Sequence, residues 1–340
     1  MSDNTAIEWT DATWNPVRGC TRVSQGCVNC YAETVAARFS NKGQAYEGLA
    51  TRSPARWTGE VRVIEAALDQ PLRWKRPRKI FVNSMSDLFH EKLDARYIDR
   101  VFAVMALAPQ HTFQVLTKRP QRMLSYLQDR TKRGQLPIAQ NGMDLGNLWF
   151  DGWLKPWPLP NLWLGVSVEN QEAADERIPL LLQTPAAKRF LSCEPLLGSL
   201  DLSEALAVEQ VKLFDRQRSH WTERTGESRK IDWVIAGGES GPKARPMHPD
   251  WARALRDQCN AAGAAFFFKQ WGEWEPREQW SGHQGGGRFE PMIAITPDGS
   301  QVPHDVVPQD VGGQRFARVG KKHAGRRLDG VEHSEFPEAA

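Results

Sequence analysis

The sequence predicts an α/β fold of βα units around a parallel sheet, and three observations predict it. Short apolar runs recur along the chain, helical periodicity follows each of them, and nearly every run ends on polar residues. The runs are Lys79 to Ser84, Thr112 to Lys118, Leu162 to Glu169, Lys188 to Glu194, Asp232 to Gly237 and Ala264 to Gln270. Their apolar character is continuous rather than alternating, the pattern of strands covered on both faces and therefore parallel. Between them, Asp94 to Leu107, Pro120 to Gln128, Gln171 to Leu182 and Pro249 to Ala262 read as helices. In the last, Trp251, Leu255 and Cys259 share one face, and Pro120 and Pro249 open their helices where a missing N–H costs nothing. Such alternation closes into a barrel or stays open and doubly wound.

Composition sets the broad class. With 340 residues, 40% hydrophobic content and a formal net charge of +3, the chain can bury a real core. No apolar targeting segment opens the chain, and no run approaches the roughly 18 to 20 apolar residues that span a bilayer. A soluble, cytoplasmic protein with no membrane partner is expected. Basic residues outnumber acidic ones over residues 1–130 and crowd into Arg73-Trp74-Lys75-Arg76-Pro77-Arg78-Lys79. That asymmetry permits a nucleic-acid or phosphate partner, although a solvated basic loop is the commoner use.

Three stretches interrupt the βα alternation. Residues at about 131–160 are rich in Gly, Trp and Pro, those at about 209–230 are charged, and Gly272 to Gly313 is rich in Gly and Pro. They predict a body over residues 1–271 decorated by two insertions, then a Gly/Pro-rich extension and basic tail over 272–340.

Five cysteines are an odd number, and Cys20, Cys27 and Cys30 lie within one short segment with the spacing C-x6-C-x2-C. That fits a metal or cluster site in a reducing compartment better than a disulfide framework. Thiolates bind soft metals and iron–sulfur clusters, and a C-x2-C pair brings two sulfurs to neighbouring corners from a single turn. Gly19 and Gly26 precede two of the cysteines, which suits a tightly folded loop. Tyr31, Val35 and Phe39 then recur every four residues and predict an amphipathic helix directly after the loop. Structural zinc sites usually close with four protein ligands. Here the nearest histidine in sequence is His90, so zinc with a remote fourth ligand is the alternative to a cluster with one open metal.

The loop resembles the cluster loop of the radical S-adenosylmethionine enzymes, whose usual spacing is C-x3-C-x2-C. Here the first gap is longer, and Asn29 stands where that superfamily usually has an aromatic residue. The blocks WNPVRGC, GCVNCYAE, VNSMSDLFH, VLTKRP, WLGVSVEN, FLSCEPLLG, WVIAGGESG and FFFKQWG together resemble the phage Gp37/Gp68 family (DUF5131), a group of radical-SAM-like proteins. The resemblance implies a partial (β/α) barrel of the radical-SAM type. It also implies a [4Fe–4S] cluster on Cys20, Cys27 and Cys30, S-adenosyl-L-methionine on its open iron, and hydrogen abstraction from a substrate. A reductant protein would then be a partner, and a nucleotide or nucleic acid is the favoured substrate. The competing expectation is a zinc-stabilised nucleic-acid-binding protein without catalysis; a plain barrel hydrolase lacks a nucleophile motif.

In a β/α barrel, ligands meet the loops after the strands. Those positions hold Ser84, Ser86 and Asp87, then Lys118 and Arg119, then Ser167, Glu169 and Asn170, then Cys193 and Glu194, then Glu239 and Ser240, then Lys269 and Gln270. By the same resemblance, Ser84, Ser86 and Asp87 hold the methionine end of the cofactor. Ser167, Glu169 and Asn170 are placed to bond a ribose, while Lys118, Glu194 and Glu239 complete the binding wall. Cys193 is the candidate hydrogen-atom donor, and any one of these residues can instead cap a helix. Among fourteen tryptophans, Trp57, Trp74, Trp153, Trp157, Trp271 and Trp274 lie near basic or Gly/Pro-rich loops. They can stack bases, although packing is the more frequent use.

Overall fold

The computed structural model describes residues 5–130, 135–137, 154–207, 212–215, 220–223, 230–279, 292–302 and 312–338. Seven strands run through the chain: β1 (Ala12–Trp14), β2 (Lys79–Val82), β3 (Thr112–Thr117), β4 (Leu162–Ser167), β5 (Lys188–Cys193), β6 (Trp233–Gly237) and β7 (Ala265–Gln270). They pair in chain order, every pairing is parallel, and the sheet curls into a half barrel. A doubly wound sheet would reverse its strand order at a switch point, and this one does not. Helices α1 (Tyr31–Arg38), α2 (Ala95–Leu107), α3 (Pro120–Arg130), α4 (Gln171–Gln183) and α5 (Pro249–Ala262) lie between strands.

Alternation along each strand sorts the side chains into two cores. On the helix side, Val82, Val115, Leu164, Leu191, Val234 and Phe268 pack in one continuous cluster with Phe102, Leu127, Leu181 and Leu255. On the concave side, Phe81, Trp163, Phe190, Trp233 and Phe267 form a second cluster with Trp9. Burying each such ring contributes about 1.5–3 kcal/mol. Gly165 makes the concave layer possible, because a Cβ there would stand 2.6 Å from the Phe190 ring.

Both ends of the described chain complete that floor. Trp9 enters from ahead of β1, 4.7 Å from Phe81 and 6.1 Å from Trp233 between ring centres. Phe336 arrives from the far end, 5.1 Å from Trp233. Around it, Glu335 accepts the Phe266 N–H at 3.0 Å and the Trp233 indole N–H at 2.9 Å, and Ser334 bridges to Phe267. The free edge of β7 is thereby covered.

Beyond β7, Trp274–Pro276, Met292–Ile295, Gln301–Val302 and Gln314–Arg318 form a four-stranded antiparallel sheet. Trp274, Ile295 and Phe316 join it to the helix-side core. Within the expected insertions, Gln135–Pro137 pairs with Leu154–Pro156 and Lys212–Asp215 with His220–Glu223, both antiparallel; their other residues up to 153 and between 208 and 229 lie outside the described ones.

Most of the tryptophans picked out as possible base stackers are packed instead. Trp74, Trp271 and Trp274 are buried, and Trp157 packs 5.9 Å from Phe102; Trp153 lies outside the described residues. The basic stretch divides: Arg73, Lys75 and Arg76 are exposed, while the Arg78 guanidinium lies 4.8 Å over Trp74 and the Lys79 ammonium 4.4 Å over Phe336. Among the described residues, no helix is long and apolar enough to cross a membrane.

Candidate functional site

A cavity of about 430 Å³ opens where the strands end, within the usual size of a small-molecule site. Cys20, Cys27 and Cys30 line one wall of it, together with the first turn of α1. The loop that carries them is shaped by its glycines. Gly19 has φ +93, and a Cβ there would lie 2.1 Å from the Glu60 carbonyl oxygen, so no other residue fits without moving the backbone. A 3-10 turn over Gln25–Cys27 follows, and Cys30 stands at the N-cap of α1.

Burial pushes the Cys20 thiol up to about 12, aided by Asp87 and opposed by Arg119. Burial raises Cys30 as well, against the N–H groups of Glu33 and Ala32 and the Lys118 cation. These thiols keep their protons until a cation compensates the charge, so binding a metal releases protons. Arg119 brings a fixed charge to the spot, its Nη1 lying 3.9 Å from Cys20 Sγ. Among the described residues, no three His, Cys, Asp or Glu side chains are drawn close enough to chelate a single ion.

Two buried carboxylates hold the loop from strand ends distant in sequence. Glu169 accepts the Gly26 N–H at 3.3 Å and pairs with Arg177 at 2.8 Å. Its own burial raises its pKa, but Lys118, the Ser24 hydroxyl and Arg177 outweigh this and keep it below the ordinary carboxylate value. Glu239 accepts from Asn29 Nδ2 at 2.9 Å and pairs with Arg245 at 2.6 Å, while Arg245 also reaches the Gln25 carbonyl at 3.1 Å. The end of β4 and the loop after β6 thus grip the cysteine loop at Gln25, Gly26 and Asn29.

The structure sorts the expected site residues. Ser84, Ser86, Asp87, Lys118, Ser167, Glu194 and Glu239 line the cavity with the three cysteines. Several of them are already engaged. Asp87 accepts from Thr117, the Lys118 N–H and Arg119, the last at 3.0 Å. Ser84 donates to Asn15 and Ser86 to the Val17 carbonyl, and Glu194 pairs with Lys269 at 2.6 Å.

Asn170 does not line the cavity; its side chain caps α4 by accepting the Ala173 N–H at 3.0 Å. Glu169 does not line it either, being turned into the Arg177 pair. Cys193 faces the wrong way for a hydrogen donor. Strand alternation sends Ser192 to the cavity and Cys193 into the helix-side core, fully buried, where burial drives its pKa well up.

Four residues matter that motif spacing did not single out. Asn15 accepts from Ser84 and from the Met85 N–H, and Asn29 carries the Glu239 tie. Asn83 and Trp9 line the cavity. An asparagine ahead of a proline or inside a cysteine loop is a usable signal for the first two; nothing in the sequence announces the others.

A parallel half barrel whose strand ends surround a three-thiol cavity defines an α/β protein of the half-barrel class. A family model described as "Protein of unknown function (DUF5131)" matches residues 4–337, and the chain belongs to that family. No curated protein and no solved structure matches it.

Proposed function

We propose that the cavity is the active site of a radical S-adenosylmethionine enzyme of the kind the phage Gp37/Gp68 resemblance implies. In this reading Cys20, Cys27 and Cys30 hold a [4Fe–4S] cluster, and its unligated iron takes the cofactor. The observation that carries it is the convergence of three thiols from one loop on a cavity at the open end of a parallel half barrel. Arg119 beside Cys20 and Lys118 near Cys30 supply positive charge to an anionic cluster.

When bound, cluster and cofactor supply one-electron cleavage of the sulfonium and, through it, hydrogen abstraction from a substrate. The chain's own residues do the rest. Glu169 and Glu239 fix the loop that presents the thiols, and the Trp9 and Phe81 floor keeps water from that side of the cavity. Polar strand ends and the Lys118 cation favour a nucleotide or nucleic-acid substrate, and a separate reductant protein delivers the electron.

Purification and reconstitution without oxygen, followed by iron and sulfide analysis, electron paramagnetic resonance and an assay for 5′-deoxyadenosine, test this reading. It requires about four iron and four sulfide per chain, a signal changed by S-adenosylmethionine, and loss of both on Cys27→Ala. Stoichiometric zinc without iron would replace it with the zinc-stabilised binding protein.

A further inference from the structure

The polar groups around the cavity divide into those already satisfied and those left open. Asp87, Ser86 and Glu169 are bonded within the chain, as described above. Among the described residues, Asn83 Nδ2, Gln270 Oε1 and the Trp9 indole nitrogen have no partner. All three residues line the cavity, and they are 3%, 5% and 2% exposed. Buried polar groups in folded proteins are nearly always hydrogen-bonded, so a cluster of open ones marks where a bound molecule completes the set.

Their chemistry narrows the ligand. Asn83 sits at φ 61, and its Oδ1 accepts the Val17 N–H at 3.4 Å, which leaves its NH2 group as the unsatisfied end. Gln270 Nε2 meets Ser240 Oγ at 3.0 Å, so a single hydroxyl answers one end of that amide and the other stays open. Trp9 and Phe81 line the same cavity and belong to the concave aromatic cluster. The nearby Lys269 and Glu194 neutralise each other at 2.6 Å, which suits a neutral ligand over an ion. An unsatisfied donor and an unsatisfied acceptor in one cavity fit a nucleobase, since carboxamide side chains match the paired donors and acceptors of a base edge.

We propose that the cavity receives the nucleobase of the substrate, seated beside the Trp9 and Phe81 wall and read at its edge by Asn83 and Gln270. This rests on the cavity being the active site of the cluster enzyme. Asn83 and Gln270 are then the specificity-determining residues.

Calorimetric titration of the full chain, prepared without oxygen, with the common nucleosides, their monophosphates, ribose 5-phosphate and S-adenosylhomocysteine tests the assignment. One base is expected to bind and ribose 5-phosphate not. Gln270→Leu and Asn83→Asp should each weaken that binding at least tenfold while iron content and spectrum stay unchanged, and Gln270→Leu should also keep its Tm. Aspartate tolerates the positive φ and still accepts the Val17 N–H, but lacks the donor. Failure of every base to bind a protein with a normal cluster overturns the proposal. So does competition by S-adenosylhomocysteine, which would make the pocket the cofactor's own, or unweakened binding by both variants. Base binding by a protein that retains no iron supports the pocket and removes only the cluster reading.

Discussion

The Glu169 carboxylate and the Gly26 backbone N–H meet at 3.3 Å across 143 residues of sequence. That bond joins the end of β4 to the cysteine loop, and Arg177, as buried as Glu169, balances the charge. Removing one partner of a buried pair leaves the other uncompensated, which costs about 3–5 kcal/mol. Glu169→Ala should therefore lower stability by that amount in urea unfolding and reduce metal retention. Glu169→Gln keeps the shape and should cost less. If Glu169→Ala unfolds like the wild type, the pair does not anchor the loop.

Thiol accessibility should separate the five cysteines. Cys193 and Cys259 are fully buried in the helix-side core, whereas Cys20, Cys27 and Cys30 are partly exposed at the cavity. Mass spectrometry of the metal-free folded protein after brief alkylation should find label on the second group and not on the first. Cys193→Ala should cost roughly 1 kcal/mol of packing and leave metal loading unchanged.

Phe336 closes the concave core against Trp233 and Phe267, at 5.1 and 5.7 Å. Truncating it to alanine should destabilise the protein by about 1–3 kcal/mol, read as a lower Tm. An unchanged Tm would show that the chain's end merely rests on the barrel.

Acidification should destabilise the fold through its buried histidines. His248 caps α5 by accepting the Asp250 N–H at 3.2 Å on Nδ1, and its Nε2 donates to the Gly312 carbonyl at 3.1 Å. Burial lowers its pKa below the ordinary 6.5, although Gly312 and Asp250 pull the other way. As pH falls below 6.5 the unfolded chain takes up the proton first, so stability present above that value drains away as pH passes through the folded pKa. His90, His111 and His333 are lowered by burial in the same direction. Tm should be level above pH 7 and drop toward pH 5, with a shallower slope for His248→Asn, which also caps a helix.

The sheet was readable because each strand is apolar on both faces; all six runs picked out by that pattern became β2 to β7 within a few residues. Helix α1 was placed correctly but for the wrong face. Tyr31 and Phe39 of the expected stripe are half exposed, and the buried face is Ala32, Glu33, Ala36 and Ala37. Small residues carry little periodic signal, and Glu33 turns inward to take Arg22 and the Trp57 N–H. The strand-end rule found the cavity wall because backbone direction decides which residues gather there. It could not tell open groups from engaged ones: Asp87 and Asn170 look as available in sequence as Gln270, and only tertiary contacts reveal that the first two are already used. The Gly/Pro-rich extension concealed its strands, since Met292–Ile295 and Gln314–Arg318 are short and widely spaced.

The chain order of the barrel has a consequence for its maturation. During synthesis the cysteine segment leaves the ribosome long before Glu169, Glu239 and Phe336, which anchor it or close the barrel beneath it. A nascent chain therefore presents three unshielded sulfurs with no wall to hold them. Those sulfurs come under the shelter of the two carboxylates only once the later strands have docked, so a chain stalled before Glu239 is made would leave its thiols in reach of oxidants.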